Sequence, residues 1–159
     1  MAIIRKIRKE DNQALSKIIK SVFVEFDAPR EGTVFSDSTT DSLFELFQTM
    51  KSVCFVAEEN NKVLGSCGIF PTPGLPENYA ELVKFYLKPE ARGKGIGKQL
   101  FQTAIDAAKD LKYTHLYIES QESFKDALSL YENFNFEYID HPLGDSGHHN
   151  CGIWMLKTL

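Results

Sequence analysis

Cysteine is scarce in this sequence: Cys54, Cys67 and Cys151 are the only ones among 159 residues. They are odd in number, widely spaced and never arranged as CxxC, which argues against a disulfide framework. No apolar run approaches the ~20 residues that a bilayer-crossing helix requires. The opening "MAIIRKIRKED" has no long apolar stretch of the kind a secretory signal carries. Basic residues are outnumbered too: 18 Lys and Arg stand against 22 Asp and Glu, a formal net charge of -4. That balance argues against non-specific nucleic-acid binding, which wants a basic face. The expectation is a reduced, cytoplasmic protein with no nucleic-acid or membrane partner. Internal repeats and low-complexity linkers are missing, so residues 1–159 are expected to form one domain with one substantial core.

The remaining sequence is rich in periodic segments. "IIRKIR" has the length and composition of a first strand, and Asp11 is placed to cap the helix after it. In that helix Leu15, Ile18, Ile19, Val22, Phe23 and Phe26 fall on one face. A polar loop with Pro29 and Gly32 leads to a second helix, with Leu43, Phe44, Leu46, Phe47 and Met50 as its apolar positions. "SVCFVAEENNKVLGSCGIF" predicts a hairpin, because Asn60 and Asn61 tolerate the positive φ of a tight turn. "AELVKFYL" predicts a strand that Pro89 ends. A helix follows, carrying Ile96, Leu100, Phe101, Ala104, Ile105, Ala108 and Leu111. "HLYIES" is a strand, and "FKDALSLYENF" a helix that Asn135 would stop in a left-handed conformation. "FEYID" and "GIWMLK" close the chain as strands. The order is β-α-α-β-β-β-α-β-α-β-β, an α/β (α+β) class with one mixed sheet and helices packed on it.

"LKPEARGKGIGKQL" is the stretch with the clearest chemistry. Gly93, Gly95 and Gly97 alternate after a strand and before an amphipathic helix. Such glycines let the backbone curl so that several N–H groups face one space. Those N–H groups open a helix, lack intrahelical partners and carry partial positive charge, so a phosphate fits there. Lys94 and Lys98 add point charges, and Arg92 adds a fork of donors. Two familiar phosphate motifs fail. The P-loop spacing is one residue short and lacks the hydroxyl that follows its lysine. The dinucleotide fingerprint finds Lys98 where its third glycine belongs. The bland alternative is a flexible turn with solvated lysines.

The surviving pattern, Arg92-x-x-Gly95-x-Gly97, resembles the acetyl-CoA motif of the GNAT family of N-acetyltransferases. "AELVKFYL" resembles that family's central strand. "ALSLYENFNF" resembles its closing AxxLYxxxGF helix, with Asn135 in the usual glycine place. The likeness spans essentially the whole chain in the right order, and "HHNCGIWMLKTL" is similar to a bacterial subgroup that acetylates small amino acids or their analogues. The resemblance implies a mostly antiparallel sheet with helices on both faces. It also implies acetyl-CoA as co-substrate, with no metal. The coenzyme's pyrophosphate would lie across the amides of Gly93, Lys94, Gly95, Ile96, Gly97 and Lys98, with the Arg92 side chain also at the cofactor site. Its pantetheine arm would run beside Phe85, Tyr86 and Leu87 as a false extra strand.

The same resemblance implies two catalytic side chains. Glu81, at the start of the central strand, stands where members with a glutamate base carry it; the competing readings are an exposed strand-end glutamate, or a base made of a water chain. Tyr131 matches the tyrosine that faces the sulfur and can protonate the leaving thiolate; the competing reading is a core tyrosine. One departure stands out. Phe124 occupies the position of an asparagine that commonly contacts pantetheine, so Ser120 or Ser123 would have to supply that contact. Glu25, Phe26, Arg30 and Phe35 are candidates for the acceptor pocket, with Arg30 placed to pair with a substrate carboxylate. The leading expectation is acetyl transfer to a small primary amine, an amino acid or analogue, by direct attack in a ternary complex. A protein or peptide acetyltransferase and a non-catalytic acyl-CoA sensor are the alternatives. "HHNC" matches no defensible zinc pattern, and the three thiols are expected to act as small hydrophobes. Exposed closing strands would permit a homodimer.

Overall fold

Seven strands form one sheet in the computed structural model, which describes residues 1–159. They are β1 (Ile3–Lys6), β2 (Val53–Glu59), β3 (Lys62–Phe70), β4 (Tyr79–Leu87), β5 (His115–Ser120), β6 (Glu137–Ile139) and β7 (Ile153–Thr158). Four α-helices interrupt them: α1 (Asn12–Glu25), α2 (Leu43–Leu46), α3 (Ile96–Asp110) and α4 (Lys125–Asn133). The spatial order is β1-β2-β3-β4-β5-β7-β6, and every neighbouring pair is antiparallel except β4 and β5. The predicted order of elements is the observed one. No helix is long and apolar enough to cross a membrane.

Local backbone chemistry explains the turns. Asn60 and Asn61 both adopt positive φ, 51° and 62°, and join β2 to β3 directly. That double left-handed turn matches the twist of the paired strands. Asn135, with φ 69°, ends the α4 segment as its sequence predicts. Two local expectations need correction. Asp11 does not cap α1 with its side chain; its carboxylate accepts from the Arg8 amide at 2.7 Å and from Arg5 at 2.8 and 2.9 Å. The strong Arg5 fork draws it back toward β1. The second helix is a single turn, because the chain turns away after Leu46 and leaves Met50 exposed.

The sheet buries a core on each face. Leu100, Phe101, Ala104 and Ile105 of α3 pack on Ala80, Leu82, Leu116 and Ile118. Leu15, Ile19, Val22 and Phe23 of α1 pack on Leu43, Cys54 and Val56 from the other side. Full burial of a side chain such as Phe101 contributes roughly 1.5–3 kcal/mol.

The functional geometry comes from the centre of the sheet. The parallel β4–β5 pairing covers only Tyr79–Glu81 against His115–Tyr117. Past Glu81 the two strands part. Between Gly68↔Val83 and Ser66↔Tyr86 the central strand has one residue more than its partner, and Lys84 sits there with φ 57°. This is a β-bulge, which bends its strand and raises the local twist. Ser66 Oγ donates to the Lys84 carbonyl at 2.6 Å and holds the bulge in place. The bent strand leaves a wedge-shaped opening between β4 and β5.

Candidate active site

The mouth of the wedge is the glycine stretch. Gly93 and Gly95 have φ 75° and 80°, and a Cβ on either would meet nothing within 4 Å. The amides of Gly93 to Lys98 donate no hydrogen bond within the protein. They lie at the N-terminus of α3, where peptide dipoles favour an anion. Gly97 serves a different need: a Cβ there would lie 2.8 Å from Leu87 Cδ1, so its absence lets α3 close against β4. Lys94 and Lys98 are exposed beside the cradle, whereas the Ile96 side chain is core.

Arg92 is engaged within the protein. Its guanidinium donates to both Glu25 carboxylate oxygens at 2.7 and 2.9 Å and to the Leu87 carbonyl at 2.9 Å, and it lies 5.2 Å from the Phe26 ring. Glu25 and Phe26, expected in the acceptor pocket, therefore stand beside Arg92 at the glycine mouth. The pair fastens the end of α1 to the loop before α3.

Between the parted strands lies a cleft of about 300 Å³. Phe85, Tyr86 and Leu87 line one wall; Ile118, Glu119, Ser120 and Gln121 line the other. The wall formed by β4 is bonded to β3 on its far side only, so its near edge is free to take a strand-like ligand. Tyr131 is buried, and its ring lies 5.4 Å from Phe101 and 6.2 Å from Phe85. Burial pushes its phenol well up, so it stays protonated, and its hydroxyl has no partner within the protein. Ser123 is not part of the lining, while Ser120 is. Phe124 faces Phe23, Phe26 and Tyr86 edge-on at 5.2, 5.9 and 6.3 Å, filling with hydrocarbon the place of the expected polar contact.

The inner end holds the titratable groups. Glu81 is 4% exposed and accepts a 2.7 Å hydrogen bond from Thr72 Oγ1. Burial, reinforced by the Glu119 carboxylate, pushes its pKa up to about 8, against Thr72 and Lys84, which favour the anion. A base near the working pH is what proton abstraction from an amine needs. Glu119 accepts from Tyr117 Oη at 2.7 Å and from Ser146 Oγ at 2.5 Å. His148 meets Asp37 at 2.6 Å and donates its amide to Ser146 Oγ. Asn150 adds bonds to the Gly32 and Glu31 carbonyls at 3.1 Å. The loop before β7 is thereby latched to the loop after α1. Cys151 lines the cleft, and burial pushes its thiol up to about 12, so it is no thiolate at neutral pH.

Arg30 and Phe35 lie outside the lining. Arg30 is exposed and rests 5.4 Å from the Phe35 ring, which packs on Phe23. Sequence reasoning missed Thr72, Asp37, Lys84, Gln121 and His148. Lys84 left a trace as a charge inside the otherwise apolar run "LVKFYL", and His148 as part of "HHNC", where the sequence presents it only as a candidate metal ligand.

Unpaired amides at a helix N-terminus stand at one end of a split sheet, with a buried carboxyl and a protonated phenol further in. The sequence model of the Acetyltransferase (GNAT) family matches residues 17–136. The chain is 32% identical to the uncharacterized N-acetyltransferase YjgM of Escherichia coli (strain K12) over 158 residues, 99% of this chain and 95% of that one. It is 28% identical over 137 residues to a putative [ribosomal protein bS18]-alanine N-acetyltransferase of Bacillus subtilis, covering 86% and 81%. An acetyltransferase of the GNAT family from Staphylococcus aureus Mu50 superposes with a TM-score of 0.86 at 20% identity, over 100% and 99% of the chains. The Thermoplasma acidophilum paia N-acetyltransferase, in complex with coenzyme A, gives 0.76 at 20% identity over 100% and 99%. The chain belongs to the acetyltransferase (GNAT) family. Its class is that of the acetyl-CoA-dependent N-acetyltransferases.

Proposed function

We propose that this protein moves the acetyl group of acetyl-CoA to the primary amine of a small molecule, such as an amino acid or analogue, by direct attack in a ternary complex. The observation that carries the small-molecule reading is the latched inner end of the cleft. The Asp37–His148 pair and the Asn150 bonds tie two loops together at the inner end of the cleft, whose whole free volume, shared with the coenzyme arm, is about 300 Å³. Such a volume suits one small acceptor beside the thioester better than an extended peptide.

The amides of Gly93 to Lys98 hold the diphosphate, with Lys94 and Lys98 as flanking charges. The free edge of β4 at Phe85, Tyr86 and Leu87 aligns the pantetheine arm. Glu81 accepts a proton from the amine, directly or through water. The amine lone pair forms the new C–N bond at the carbonyl carbon, and the C–S bond breaks. Tyr131 gives its proton to the departing thiolate. Direct attack is supported by the state of the thiols: burial pushes Cys54 and Cys151 up to about 12 and raises Cys67 as well. None is poised to carry the acetyl group.

A peptide acceptor is the second reading, supported by the Bacillus subtilis relative named for a ribosomal protein. The test measures free-thiol release from acetyl-CoA against amino acids, polyamines, aminoglycosides and peptides. Release with small amines and none with peptides is expected; release with peptides alone would overturn the small-molecule reading.

A further inference from the structure

Lys84 is a buried group of the cleft that the proposed reaction leaves unused. It is 5% exposed and lines the cavity. In a regular strand it would share a face with Ala80 and Leu82, which pack into the α3-side core. The bulge breaks that alternation. Val83 packs on the α1 side and Phe85 returns to the α3 side, so the inserted residue is turned out of the hydrocarbon. Burial holds its ammonium below the usual lysine range, opposed by Asp37 and Glu81, which favour the charged form. Both are already engaged: Asp37 with His148 and Thr39, Glu81 with Thr72. Lys84 Nζ makes no ion pair and no hydrogen bond within the chain.

A buried ammonium without a partner is costly, and proteins that keep one usually supply an anion. A second unmet group shares the cleft. Gln121 is 5% exposed, lines the cavity, and its Oε1 has no hydrogen-bond partner. The two needs are complementary: Lys84 requires an anion, and Gln121 Oε1 requires an N–H. Building on the acetyl-transfer reading above, we infer that the acceptor is an amine bearing a carboxylate, which ion-pairs with Lys84 while Gln121 Oε1 accepts from the amine. This moves the carboxylate contact from Arg30, which lies outside the lining, to a residue inside it.

The test compares free amino acids with their own carboxamides as acceptors. Loss of the carboxylate lowers amine basicity, which by itself favours the amide, so a preference for the acid cannot come from amine reactivity. Wild type is expected to favour the acid in kcat/KM by about 30-fold or more, the scale of a lost partner in a buried charge pair. Lys84→Met is expected to collapse that ratio toward about one, and Lys84→Arg to keep part of it. A wild-type preference for the amides, or an unchanged ratio in Lys84→Met, would overturn the inference. Should Lys84→Met fail to fold, calorimetric titration of the wild-type coenzyme A complex with acids and amides makes the same comparison without turnover. Tighter binding of the acids with no thiol release from any amine would defeat the acetyl-transfer reading and leave the carboxylate site standing. Thiol release that favours the amides would defeat the carboxylate site alone.

Discussion

Two buried side chains with opposite protonation needs divide the proposed chemistry. Glu81 is pushed up to about 8 by burial and by Glu119, so it becomes a competent base just above neutrality. With an acceptor already uncharged at about pH 6, kcat is expected to rise with pH through a value near that of Glu81. In Glu81→Gln that limb should vanish and kcat should fall about 10²- to 10⁴-fold. A pH profile unaltered by the substitution would remove Glu81 as the base. Stability gives an independent check. The folded pKa lies above the ordinary 4.5, so the contribution of Glu81 is complete below the ordinary value and is lost as pH rises through about 8. Glu81→Gln should therefore gain most in Tm over wild type at about pH 9 and least at about pH 4. Thr72 can still donate to the amide oxygen, so the test isolates charge. For Tyr131, Phe keeps the ring contacts with Phe101 and Phe85 and removes only the hydroxyl. Tyr131→Phe should leave the fold intact and lower kcat by about 10²-fold, with KM for acetyl-CoA little changed.

At the scale of elements, the glycine loop and α3 act as one device. Gly93 and Gly95 supply left-handed backbone that aims the amides outward, while Gly97 lets the helix sit against Leu87. Gly95→Ala meets no atom within 4 Å, so it is strained by φ alone, at about 1–2 kcal/mol. Its larger effect should fall on binding. Coenzyme A affinity, measured by calorimetry, is expected to weaken at least about tenfold as the amides rotate away. Lys94→Ala and Lys98→Ala should weaken it less, and chiefly at low ionic strength, because both side chains are exposed. An equal loss in all three variants would assign the anion site to the lysines instead of the backbone. The sequence carries this element clearly, because glycine spacing and helix dipoles are local properties. It does not carry the Arg92–Glu25 clamp, whose partners lie 67 residues apart.

Over the whole molecule, the split sheet makes a cleft and two distant loops close it. The latch depends on Asp37, whose carboxyl is held well below the usual carboxylate range, chiefly by its hydrogen bond with His148. A depressed carboxylate contributes stability above its ordinary pKa of 3.8 and loses it as pH falls through its lower folded value. Asp37→Asn should therefore open the latch near neutrality. The KM of the acceptor is expected to rise about five- to thirtyfold, with hydrogen exchange faster in residues 140–152 and little change in the KM of acetyl-CoA. A larger effect on acetyl-CoA than on the acceptor would place the latch at the wrong end of the cleft.

The sequence by itself determined the order of elements, the hairpin at Asn60–Asn61, the stop at Asn135 and the glycine cradle. Each rests on φ preferences, hydrophobic period or helix-end dipoles, which act over a few neighbouring residues. Only the tertiary structure decided which charges share the cleft. The bulge turned Lys84 inward, Thr72 came to Glu81, and Asp37 met His148 across 111 residues of chain. Such contacts depend on strand register and on where two strands part, and no local preference encodes either.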